Sequence, residues 1–342
     1  WGYDLDERFK LIRQFGNQVG FANALKYKLS GGKDHSYVND IVIGRLKKMG
    51  LSVRGHTLIW PGWKHMHKDS LPLKNNKKAL SDYCHSQIEE FASLWDVSEW
   101  DVMNEPRANH DIQDILGTHS MVDWYQTAKK YLRNKDAHLY LNDYQVISHM
   151  GSKWEKHIGL YHDTAKYLLD NGAPLTHLGF QSRFKAWVES EEIYRRLEEF
   201  RDLNLPVKAT EFEIRSTRTK FTEQERARYT EQIMTTYFSH DLVCGFIAWT
   251  FFTEEGKLNP QDNSPEDFSL FYTDRIKPNG KVWLHLVRKH WNTDEVLKTN
   301  ESGQIELRGF LGDYEVLIGK GKSLKRAQLT LDHEKNEFVV QI

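Results

Sequence analysis

The chain is short of the features that mark several large protein classes. Of its 342 residues only two are cysteine, Cys84 and Cys244. Two thiols in apolar-patterned segments make no disulfide framework, and both are expected to be free and buried. No apolar run is long enough to cross a bilayer. Charge of one sign is not in excess, since 47 basic residues stand against 48 acidic ones. A chain so balanced has no global field to draw in nucleic acid or an anionic membrane surface. No glycine-rich loop opens any helical stretch, which counts against a dinucleotide-binding fold. No signal peptide is visible; the chain starts at Trp1 rather than Met, so its start is silent on secretion.

Aromatic side chains are plentiful, with 11 Trp and 15 Tyr. Most belong in a core, which 39% hydrophobic residues can build. Flat rings beside polar groups also suit sugars, whose C–H faces stack on rings while their hydroxyls take hydrogen bonds.

Short apolar runs alternate with amphipathic stretches along most of the chain. The runs predict strands over 18–20, 52–58, 99–103, 138–142, 178–181, 207–210 and 245–249. The amphipathic stretches predict helices over 38–49, 80–94, 124–134, 154–171, 193–203 and 221–238, the last with Thr222 as N-cap and Glu225 three residues on. Alternation repeated this often reads as a parallel α/β sheet. Polar residues cluster at the strand ends: His56, Asn104 with Glu105, Asn142 with Asp143, Gln181 with Arg183, and Glu211. In a (β/α)8 TIM barrel those ends share the face where active sites are built. Seven strands are countable and closure needs an eighth. The absent one is expected to be the first, upstream of Trp1. From about residue 299 the helices stop, and short strands are expected over 304–308, 313–318, 327–331 and 337–342. The expected organisation is a barrel over 1–295 and a small β appendage over 296–342, with a separate binding module as the alternative, for which the segment is thin.

Two segments carry chemistry. Trp100-Asp101-Val102-Met103-Asn104-Glu105-Pro106 ends a strand on a carboxylate, and so does Lys208-Ala209-Thr210-Glu211-Phe212-Glu213. Alone, an Asn-Glu-Pro triplet is more often a turn with a solvated acid. Two carboxylates on one barrel face can instead flank a glycosidic bond. One protonates the leaving oxygen and later activates water, while the other attacks the anomeric carbon. The acid then needs a raised pKa and the nucleophile needs donors that keep it ionised. His65 and His67 alternate as a metal pair could, but no third ligand follows at sensible spacing, and solvated loop residues are favoured. No metal or organic cofactor is implied.

These segments resemble glycoside hydrolase family 10, the endo-β-1,4-xylanases. The likeness runs in order through most of residues 8–290, including Phe15-Gly16-Asn17-Gln18-Val19, Arg54-Gly55-His56-Thr57-Leu58-Ile59-Trp60, Leu139-Tyr140-Leu141-Asn142-Asp143-Tyr144, Leu178-Gly179-Phe180-Gln181-Ser182 and Phe246-Ile247-Ala248-Trp249-Thr250. The resemblance implies Glu105 as acid/base and Glu211 as nucleophile. It implies Asn104 on the sugar 2-hydroxyl, and Asn23, Lys26, His56 and Trp60 holding sugars on the non-reducing side. Gln181 would stand beside the nucleophile and Trp249 would wall the reacting sugar. Each has a plainer reading too: His56 as a satisfied core histidine, Lys26 as a solvated charge, Trp60 and Trp249 as core. The resemblance further implies a xylan-type polysaccharide as partner, a monomer, and a secreted or cell-envelope location. The same chemistry on another β-glycan or on oligosaccharides, or a barrel that only binds polysaccharide, are the alternatives.

Four positions depart from the family pattern. Ala22 replaces an acid, Pro61 a histidine, and Arg183 a histidine that touches the nucleophile. The second tryptophan of the eighth-strand loop is replaced by Phe251, Phe252 or the loop 253–268. An arginine at 183 would pair with Glu211, or turn outward towards an acidic substituent on the glycan.

Overall fold

Strands that are apolar at successive positions, not alternate ones, are covered on both faces and belong to parallel sheets. In the computed structural model, which describes residues 5–31, 34–216, 218–253, 269–272, 275–320, 323–332 and 334–340, eight strands form one parallel sheet, of which some are covered on both faces at every position and others only in part. They are β1 (Gln18–Gly20), β2 (Ser52–Ile59), β3 (Glu99–Asn104), β4 (His138–Tyr144), β5 (His177–Gln181), β6 (Arg183–Phe184), β7 (Val207–Ile214) and β8 (Val243–Ala248). Seven run in parallel round a nearly closed barrel in the order β1, β2, β3, β4, β5, β7, β8. The two-residue β6 pairs beside the far end of β7, setting Arg183 opposite Glu213. This is the TIM-barrel fold that the pattern predicts.

Among the described residues no ladder joins β1 to β8. That open seam shows in burial. β3 and β7 are buried at every position, whereas β8 is nowhere fully buried. It also corrects one expectation. Cys84 is free and buried, but Cys244, also free, is exposed, because it lies on the strand at the seam.

The helices fall where the periodicity puts them, with shifted ends. The 38–49 stretch is a π-helical turn set, Tyr37–Ile43, followed by α-helix Gly44–Lys48. The 193–203 stretch starts earlier, as Ser190–Glu198, and continues as a 3-10 turn, Arg201–Leu203. Thr222 caps Glu223–Phe238 through a full capping box with Glu225. No helix among the described residues is long and apolar enough to cross a membrane.

The chain divides into two compact units, Trp1–Trp283 and Leu284–Ile342. The second contains the antiparallel hairpin β12 (Gly312–Lys320) and β13 (Ser323–Leu331), paired from Gly312 with Leu331 to Lys320 with Ser323; between β8 and β12, three two-residue strands, β9 (Phe252–Thr253), β10 (Phe271–Tyr272) and β11 (Arg275–Ile276), form a small separate sheet in the first unit. The hairpin absorbs the expected strands at 313–318 and 327–331. The expected strands at 304–308 and 337–340 do not form, and 341–342 lie outside the described residues. A strand needs a ladder partner, and the residues flanking the hairpin bond locally instead, as where Asn300 N donates to Gln304 O.

Candidate active site

The first carboxylate is set by the end of β3. Because the strand is buried along its length, its last polar residues enter the barrel mouth. Glu105 leaves it with φ 51°, in the left-handed region that costs a non-glycine residue roughly 1–3 kcal/mol. Its N–H donates to Asn142 O at 2.8 Å, tying the turn to β4. Gln181 Nε2 donates to Glu105 Oε1 at 2.8 Å, and Asn109 Nδ2 to Oε2 at 3.1 Å.

The second carboxylate stands inside β7, which runs to Ile214, four residues beyond the predicted end. Glu211 is buried. Asn142 Nδ2 donates to its Oε1 at 3.1 Å, while Arg183 donates to Oε2 from Nε at 3.0 Å and from Nη2 at 2.5 Å. Arg183 also pairs Nη1 with Glu213 Oε1 at 3.2 Å and sets Cζ 4.4 Å from the Trp249 ring centroid. Of the two placements open to Arg183, the guanidinium takes the inward one.

Amides link the two acids. From Glu105 the path runs through Gln181 Nε2 to Asn104 Oδ1 at 3.4 Å, then to Asn142 Nδ2 at 2.9 Å and on to Glu211. Gln181 and Asn142 each spend both N–H groups in this path, and Thr210 Oγ1 donates to Asn142 Oδ1 at 2.6 Å. Gly179 makes room for it, because a Cβ there would lie 2.7 Å from Asn142 Oδ1. One donor is left over: Asn104 Nδ2 is buried without a partner in the protein. A donor so placed costs free energy unless an acceptor, such as a sugar hydroxyl, reaches it.

The environment pushes the two carboxyls apart. Burial raises the Glu105 pKa, against the Gln181 bond and with help from the Glu211 charge. Burial pushes Glu211 upward too, but Arg183, His56 and Asn142 outweigh it and the pKa falls. Asp143, buried on β4, is driven up to about 7 by burial despite Arg107.

The sugar-holding candidates gather here as well. Lys26 Nζ lies 5.5 Å from the Trp60 ring and 5.6 Å from the Trp249 ring, and donates to Asn23 Oδ1 at 3.3 Å. Burial lowers the Lys26 pKa, while Glu211 and Glu105 oppose the fall. His56 sits 5.9 Å from Trp249, ring to ring, and its Nδ1 lies 2.7 Å from Asp101 Oδ2. Beneath it a buried ion network supports the floor. Arg54 binds Asp101 and, at 2.5 Å, Glu99 Oε1, and Lys208 donates to Glu99 Oε2 at 2.6 Å.

Several participants escape the sequence reading. His65 is not a solvated loop residue, since it stacks on Trp60 at 3.4 Å and 8°. Asn109 reaches Glu105 from four residues downstream, and Asn142, noted only as part of a polar strand end, joins both acids. Of the stand-ins for the absent tryptophan, Phe251 packs edge-on against Phe15 and Phe252 stacks on Phe271, while residues 254–268 lie outside the described residues. Among the described residues, Glu198, His240 and Asp241 alone cluster as metal ligands could. The Arg201 guanidinium already bonds both acids, so a cation would have to displace it.

A beta-1,4-xylanase of Dictyoglomus thermophilum is 26% identical over 223 residues, 60% of this chain and 58% of that protein. Endo-1,4-beta-xylanase B of Paenibacillus barcinonensis is 25% identical over 225 residues, 60% of this chain and 64% of its own. The chain thus spans about three fifths of the length of these relatives. Among solved structures, native xylanase 10B of Thermotoga maritima superposes with a TM-score of 0.70 at 18% identity, covering 85% of this chain and 92% of that one. The profile described as glycosyl hydrolase family 10 matches residues 4–278, well over half of the sequence, and the chain belongs to that family.

Proposed function

We propose that the chain is a retaining, endo-acting glycoside hydrolase that cleaves β-1,4-xylosidic bonds in a xylan-type chain by double displacement. One observation carries the reading. Two carboxyls, Glu211 buried and Glu105 half-buried, are joined through Asn104, Asn142 and Gln181 and displaced in opposite directions, Glu105 upward and Glu211 downward. That is the division of labour the reaction needs. Ionised Glu211 attacks the anomeric carbon as Glu105 gives its proton to the leaving oxygen. Glu105, now a base, takes a proton from water, which releases the sugar from Glu211. The unpartnered Asn104 Nδ2 meets the 2-hydroxyl, a contact that strengthens as positive charge develops on the ring. Lys26, Trp60, His56 and Trp249 hold the neighbouring sugars. The xylanase names of the relatives support the substrate class.

The test is to incubate the purified protein with xylan, β-glucan and xylo-oligosaccharides, and to follow the first-formed anomer by NMR. Shortened xylan with a β-anomer forming first is expected. An α-anomer forming first, or no cut in any glycan, would overturn the reading. One feature favours a second reading. Both Glu211 oxygens already accept strong donors, from Asn142 and from Arg183, and a nucleophile held so firmly also suits a barrel that binds polysaccharide without cutting it. Retention by xylan with no turnover of an activated aryl glycoside would select that reading.

A further inference from the structure

Immediately after Arg183 the chain makes a short loop on the outer rim of the barrel, and the loop carries a tryptophan in the open. Trp187 is 41% exposed. Its ring is not loose, for one face stacks on Tyr229 at 4.3 Å and 16°, and Tyr229 in turn stacks on Phe221. The Tyr229 hydroxyl accepts from Val188 N at 2.6 Å and donates to Ala186 O at 3.1 Å. Gln232 Nε2, one turn further along the same helix, reaches Val188 O at 3.3 Å. The loop is therefore pinned on both sides of Trp187, and the ring offers its other face to solvent.

Next to this loop, and tied to it by Gln232, a groove of about 700 Å³ lies between the helices Ser190–Glu198 and Glu223–Phe238, with Trp187 outside its lining. It is lined by Ser190, Glu191, Tyr194, Glu231, Gln232 and Thr235, among others. Tyr194 is 39% exposed and rests against the His240 ring, so it too is a supported aromatic face. The remaining lining is hydroxyl, amide and carboxylate. The cation at the groove, Arg195, is committed to Glu155, Glu192 and Glu199. Glu191 and Glu231 thus tilt the surface negative, which disfavours nucleic acid and anionic lipid. Two fixed aromatic faces with acceptors and hydroxyls between them suit a neutral, hydroxyl-rich chain.

We propose that this groove is a second glycan-binding site, outside the catalytic cleft, in which Trp187 and Tyr194 stack on sugars of a β-linked chain. The proposal rests on the family's glycan chemistry but not on catalysis.

The experiment uses the full chain carrying Glu211→Ala, with Trp187→Ala and Tyr194→Ala added separately. Migration in native gels containing arabinoxylan or mixed-linkage β-glucan, both neutral, reads polymer binding. Turnover of an aryl xylobioside by the same variants with Glu211 restored reads the cleft. Each added change is expected to weaken retention about two- to tenfold, the worth of one aromatic contact, with aryl turnover unchanged. Retention unaltered in both variants overturns the proposal. So does a matching loss of aryl turnover, which would place the effect in the cleft or the fold. Absence of hydrolysis with any glycan would sink the catalytic reading and leave the retention result standing.

Discussion

Arg183 and Glu211 form a forked ion pair, with Nε and Nη2 both on Oε2 at 3.0 and 2.5 Å. The pair takes the place of a histidine contact in the family pattern. A guanidinium stays charged at every working pH. Its other nitrogen holds Glu213 and its plane lies by Trp249, so it also fixes a wall of the cleft.

The first prediction separates the two acids. Glu211→Ala removes the nucleophile and is expected to abolish hydrolysis of every substrate. Glu105→Ala is expected to slow xylan cleavage about 10²–10⁴-fold, yet to spare aryl glycosides whose leaving groups need no proton. Steady-state rates on xylan and on a dinitrophenyl glycoside decide it, and equal losses on both would remove the acid/base role from Glu105.

Activity is expected across a wide pH window. The acid limb follows protonation of Glu211, whose pKa is lowered, and the alkaline limb follows deprotonation of Glu105, whose pKa is raised. Arg183→Met removes the chief opponent of burial at Glu211, so the acid limb should move to higher pH. Profiles of kcat/KM against pH for both proteins measure the shift, and a fixed limb contradicts the assignment.

Substrate decoration gives a third expectation. An outward arginine would favour glucuronic-acid-bearing xylan. The inward pair predicts instead that Arg183→His leaves the ratio of rates on glucuronoxylan and plain xylan unchanged, while both fall. A selective drop on glucuronoxylan would show that Arg183 leaves Glu211 to meet the substrate.

The barrel floor supplies a stability test. Burial works to raise the Glu99 pKa, but Arg54 and Lys208 hold it down to about 2. A carboxyl with a lowered folded pKa stabilises the fold above its ordinary pKa, near 4.5, and that stability is lost as pH falls towards 2. Lys208→Met removes one partner from a buried pair and is expected to cost about 3–5 kcal/mol. Urea unfolding at neutral pH measures it; a change under 1 kcal/mol would mean that water reaches Glu99.

Much of this was legible in the chain. Strand–helix alternation, apolar strands and acids at strand ends suffice for the barrel, because a parallel strand buried on both faces has its own hydrophobic signature. Thr222 and Glu225 announce a helix start because a capping box is local chemistry. The strands expected at 304–308 and 337–340 fail because pairing is not local. A short polar alternating segment is a strand only if a neighbour offers its ladder.

The barrel is legible along the chain, and so are Glu105 and Glu211 as candidate acids and the residue types proposed for the cleft, because periodicity and motifs are read in order. Which way Arg183 turns, the stacking of His65 on Trp60, the bridge that Asn142 makes between Glu211 and Asn104, and the exposure of Cys244 at an open seam are legible in the folded chain alone. Those facts depend on groups from different strands meeting in space. The opposite displacements of Glu105 and Glu211 depend on the same meeting, since burial and neighbouring charge set a pKa and neither is a property of a residue alone.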